Sequence, residues 1–115
     1  MLTTLPTVHF TTVTPALAWM LLKLAGHPVE LVITSGTDGQ HVHSSAHYRG
    51  EAIDVRVIDL AQPADRRARA DLIKRLLGPQ FQVSLEEFEI NPLWTGPHIH
   101  AQLIAGVTFA WPAGL

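Results

Sequence analysis

Cysteine is absent from the chain, which excludes disulfides, thiolate metal sites and cysteine nucleophiles. Charge is sparse as well: Asp, Glu, Lys and Arg make up 16% of the residues, under the ~25% of an average soluble domain. Eight Lys and Arg against ten Asp and Glu leave a net charge of −2 with no basic run, which argues against general affinity for nucleic acid or an anionic membrane surface. No apolar stretch reaches the ~20 residues of a membrane span. The most apolar segment, Ala16 to Ala25 (ALAWMLLKLA), has no positive charge before it, so it reads as a buried helix and the chain as cytoplasmic at synthesis. Repeats, low-complexity tracts and linkers are also missing. The 115 residues, 47% of them hydrophobic, are expected to form a single domain, 1–115, around one core.

The local signals alternate between helix and strand. Thr14-Pro15 before the apolar run is an N-cap followed by proline at the first helical position, and Gly26 with Pro28 supplies the stop. Val8 to Val13 reads as an edge strand, and Val29 to Thr34 as a strand running into the Gly-rich SGTDG loop. In Ala52 to Ile58 the residues Ile53, Val55 and Val57 share one face and Ala52, Asp54 and Arg56 the other. A second helix is predicted over Pro63 to Leu77, with Ala64, Ala68, Leu72 and Leu76 as its core stripe and Arg66, Arg67 and Arg69 as a solvated face. Phe81 to Glu86 and Ile99 to Ile104 read as further strands, with a hairpin partner at Val107 to Trp111. The expected fold class is α+β, an antiparallel sheet with two main helices.

Histidine carries the reactive chemistry, since five of the seven fall in two clusters, His41, His43, His47 and His98, His100. Strand alternation in PHIHAQL puts His98, His100 and Gln102 on one face. His47 and Asp54 are separated by YRGEAI, a turn at Gly50 and a strand entry, which can deliver both side chains to the same place. Catalytic zinc takes three His or carboxylate ligands and leaves a position for water. His41 and His43 lie in a Gly- and Ser-rich loop without a carboxylate at useful spacing and read as loop hydrogen-bonding groups; His9 and His27 carry no signal, and Asp38 reads as the cap of its DG turn. Trp94 reads as a wall of the cleft, and Trp19 and Trp111 as core or interface.

The string SAHYRGEAID, followed downstream by HIH, closely resembles the zinc site of the D-alanyl-D-alanine carboxypeptidase and L-alanyl-D-glutamate endopeptidase family, which the Hedgehog signalling domain shares. ITSGTDGQH is similar to small phage-type members. The resemblance covers about Ile33 to Ile58 and Val83 to Leu103, under half the chain. It implies a Hedgehog-like fold, one Zn²⁺ on His47, Asp54 and His100, His98 beside the metal as a transition-state donor, and a peptidoglycan stem or cross-link peptide as substrate. It also implies a carboxylate base shortly before HIH, where this chain has Trp94-Thr95-Gly96-Pro97 instead. The nearest acids are Glu86, Glu87 and Glu89. Because Phe81, Val83 and Leu85 mark the core face, Glu86 projects away from it and Glu87 toward it, which selects Glu86.

Arg56 shares the face of Asp54, where it serves either a substrate carboxylate or a structural ion pair. The leading expectation is a zinc peptidase of cell-wall peptides, bacterial or phage. The alternative is a catalytically inactive, zinc-stabilised binding domain, which the Hedgehog resemblance permits; a metal-free structural protein would require all five clustered histidines to be incidental.

Overall fold

The computed structural model describes residues 2–6, 8–10, 12–36, 49–87 and 96–112. In chain order the elements are β1 (Leu2–Thr4), α1 (Pro15–Ala25), β2 (Leu31–Ser35), β3 (Ala52–Arg56), α2 (Pro63–Leu77), β4 (Phe81–Glu86) and β5 (His98–Leu103). The strands form one five-stranded sheet in the order β1-β2-β3-β5-β4. No helix among the described residues is long and apolar enough to cross a membrane.

The helix termini follow their local chemistry. Thr14 Oγ1 accepts a hydrogen bond from Leu17 N at 3.2 Å, as an N-cap should, and donates one to the Gly50 carbonyl at 2.8 Å. One hydroxyl thereby caps α1 and ties it to the turn that enters β3. Gly26 ends the helix, its N–H returning to Leu22 O at 3.1 Å. Leu17, Met20 and Leu24 of α1 are fully buried, each contributing on the order of 1.5–3 kcal/mol. They join Ala70, Ile73 and Leu77 of α2 and Leu31, Ile33, Ile53, Val55, Phe81, Ile99, Ala101 and Leu103 of the sheet in a single core. Trp19 closes this core at the helix pair, donating from Nε1 to Leu77 O at 3.0 Å.

Four expectations need correction. The sheet is mixed: β1 pairs with β2 in parallel and every other pairing is antiparallel. A strand–helix–strand connection through α1 returns the chain in the same direction, which demands a parallel pair. The edge strand is Leu2–Thr4, and the described residues within Val8 to Val13 form no strand; Val8 and Phe10 are apolar because they pack against the core. The proposed hairpin partner is likewise not a strand. Its aromatic residues are used for ring packing, Trp19 lying 6.2 Å from Phe109 and 5.6 Å from Trp111 between centroids.

The fourth correction turns α2 about its axis. Ala70, Ile73 and Leu77 are the buried residues, while Ala64 and Ala68 are exposed and Leu72 and Leu76 half-buried. Helical geometry decides this: a strict four-residue spacing drifts about 40° per step around the axis, so Ala64 to Leu76 do not share one face, whereas the 3-4 spacing of Ala70, Ile73 and Leu77 stays on one. Continued toward the N-terminus, the buried face carries Arg66 and Arg69, whose side chains are only 12% and 15% exposed. These two arginines are therefore not a solvated face; Arg67 is exposed.

Candidate functional site

With the helices packed on one face of the sheet, the polar residues of β3, β4 and β5 collect on the other. Along β5 burial alternates strictly, Ile99, Ala101 and Leu103 being buried and His98, His100 and Gln102 half-buried. Register supplies the neighbours. His100 lies between Asp54 of β3 and Ser84 of β4, and His98 between Arg56 and Glu86. Strand alternation and strand order alone thus gather Asp54, Glu86, His98 and His100, which come from three separate segments.

The side chains meet in two carboxylate–imidazole pairs. His100 Nδ1 is 3.0 Å from Asp54 Oδ1, and its Nε2 is 2.7 Å from the Gln102 side-chain oxygen. His98 Nε2 is 2.6 Å from Glu86 Oε2, and its Nδ1 is 2.8 Å from the Gly96 carbonyl. The pairs adjoin, since His98 Nε2 also lies 3.8 Å from Asp54 Oδ1. Burial opposes the protonated form of His100, but hydrogen bonds to Asp54 and Gln102 and the charges of Asp54 and Glu86 outweigh it, raising the pKa above the ordinary 6.5. Acceptors at both ring nitrogens account for that direction. A metal ligand at this position must shed the extra proton.

Two of the three expected zinc ligands, Asp54 and His100, are thus in contact, and the expected donor, His98, and base, Glu86, are beside them. The third ligand, His47, lies outside the described residues, as do His41, His43, Asp38, Glu89 and Trp94. Among the described residues no group of three or more His, Asp or Glu forms a metal shell. Oxygen and imidazole nitrogen donors held side by side fit zinc chemically.

Glu87 is 2% exposed and faces the helices, where its Oε2 lies 2.8 Å from Arg66 Nε. Arg56 sits on the site face opposite His98, with its Nε 3.5 Å from Asp59 Oδ1. Sequence reasoning gave no role to Gln102, although it has the same strand parity as the two histidines, and read Arg66 and Arg69, whose three-residue spacing places them on one side of α2, only as part of a solvated face. A surface cavity of about 690 Å³, lined by Lys74, Arg75, Phe81, Gln82, Val83 and Ile104 among others, lies at the far end of β4 from Glu86. No histidine borders it, so the histidine chemistry and this cavity are separate.

Compared with protein-family models and with curated proteins, the sequence matches none.

Proposed function

We propose that the chain is a zinc-dependent peptidase that hydrolyses peptidoglycan stem or cross-link peptides. The observation that carries this reading is the junction of the two carboxylate–imidazole pairs, with His98 Nε2 2.6 Å from Glu86 Oε2 and 3.8 Å from Asp54 Oδ1. A structural metal site needs ligands only; an acid–base pair pressed against it is what hydrolysis needs in addition. Substrate class rests on the resemblance of SAHYRGEAID and HIH, and reaction type on the donor chemistry.

His47, Asp54 and His100 would hold the ion, which when bound supplies a Lewis acid and a water whose pKa falls to roughly 7. Glu86 accepts the proton of the attacking water and delivers it to the departing amine. His98, kept oriented through its Nδ1 by the Gly96 carbonyl, donates from Nε2 to the oxygen that gains charge on the scissile carbonyl. Arg56, opposite His98 in register, receives a carboxylate of the substrate.

The test is hydrolysis of synthetic stem and cross-link peptides followed by mass spectrometry, with Glu86→Gln in parallel. Cleavage by the native chain that is lost in a zinc-retaining Glu86→Gln supports the peptidase. A zinc-loaded native chain inert on the whole panel replaces it with the zinc-stabilised binding domain.

A further inference from the structure

His98 opens β5, and its two register neighbours are the last residues of their strands, Arg56 of β3 and Glu86 of β4. Ladder bonds end at these positions, and strand ends are where local opening costs least. The arrangement of the site therefore depends on what holds the two ends. In this structure both are held by one side of α2.

Arg69 Nη1 donates to the Arg56 carbonyl at 2.8 Å. Its guanidinium also grips Asp59 in bidentate fashion, Nη1 to Oδ1 at 2.8 Å and Nη2 to Oδ2 at 3.1 Å. Arg66 lies one helical turn earlier. Its Nη1 approaches the Leu60 carbonyl, in the turn after β3, at 3.4 Å, and its Nε is 2.8 Å from Oε2 of Glu87, the residue that follows Glu86. Those two atoms are off the hydrogen-bond axis, so their attraction is chiefly that of opposite charges. Side-chain exposures of 12% and 3% make this a buried pair.

A buried ion pair is a poor device for stability alone, because two apolar residues of similar volume serve as well or better. It does fix direction. Successive strand residues point to opposite faces, so anchoring Glu87 toward α2 obliges Glu86 to face His98. We propose that Arg66 and Arg69 are positioning residues that clamp the strand ends on either side of His98 and so set the Glu86–His98 contact. The role rests on the reading of Glu86 and His98 as the acid–base pair of the site.

The test uses the full chain as purified and reads the His98 ring resonance that responds to Glu86 in imidazole ¹H–¹⁵N spectra, assigned by its change in Glu86→Gln. In the double variant Arg66→Met with Glu87→Leu, which removes both charges of the buried pair, that resonance is expected to vanish or move while circular dichroism and amide dispersion stay native. In Arg69→Gln it is expected to shift because the hold on the Arg56 carbonyl is gone; Arg49→Gln, which breaks the exposed Arg49–Glu51 pair, should leave it in place. A resonance at its native position in Arg69→Gln and in the folded double variant would overturn the clamp, and if the double variant does not fold, Arg69→Gln alone decides. The readout requires no peptide, so the two claims fail separately. Inert peptides with a resonance that moves as described remove the peptidase and leave the clamp, and cleavage with an unmoved resonance removes the clamp alone.

Discussion

Glu86 meets the imidazole of His98 at 2.6 Å, while Glu87, the next residue, turns to the opposite face and is buried against Arg66 at 2.8 Å. Two adjacent acids of the same type thus have different work, and β4 pleating assigns it.

Their isosteric variants should separate cleanly. Glu86→Gln is expected to keep zinc and fold but lose ~10²–10⁴ in peptide hydrolysis, the usual cost of removing a general acid or base. Glu87→Gln removes the charge that faces Arg66 in this buried pair and is expected to cost on the order of 3 kcal/mol of stability. Urea unfolding alongside peptide kinetics checks both, and the reverse pattern would mean that the roles of the two acids are exchanged.

Metal removal should lower the melting temperature. Asp54 and His100 belong to different strands and His47 to a third segment, so an ion held by all three stabilises only the folded chain. At free zinc 100-fold above Kd the gain is ~2.7 kcal/mol. Differential scanning calorimetry before and after verified chelation measures it; an unchanged melt would show that zinc is not linked to folding.

Stability should fall in acid through Asp59. The hydrogen bond from Arg69 lowers the Asp59 pKa below 3.8, against a smaller opposing effect of burial. The ionised form is favoured by folding, so the contribution is complete above the unfolded-state value of ~3.9 and disappears as pH falls through the lower folded value. Wild type should exceed Asp59→Asn in stability at neutral pH and converge with it in strong acid. A pH-independent gap in urea unfolding would contradict this.

Thr14 joins two contacts in one hydroxyl, the cap on Leu17 N and the bond to the Gly50 carbonyl. Thr14→Ala is expected to cost about 1–2 kcal/mol, and Thr14→Ser to recover most of it. Denaturant melts of both variants provide the comparison.

What the sequence made legible was local. Pro63 and Gly78 mark the ends of α2, and β4 spans Phe81–Glu86 as its alternation indicates. The same alternation selected Glu86 over Glu87 and put both histidines of HIH on one face. The misses involve distant partners. Leu2–Thr4 is too short to show a period, and its strand character comes from pairing with Leu31–Ile33. Arg66 and Arg69 have the composition of a solvated face, and only the fold brings Glu87 and Asp59 to them.

Zinc content of the purified chain tests the central claim most directly. Metal analysis after dialysis against zinc-free buffer is predicted to give one Zn²⁺ per native chain and near none in Asp54→Ala, His100→Ala or His47→Ala, each checked for native fold by circular dichroism. Stoichiometric zinc persisting in both His47→Ala and His100→Ala, or a folded native chain that binds none, would contradict it.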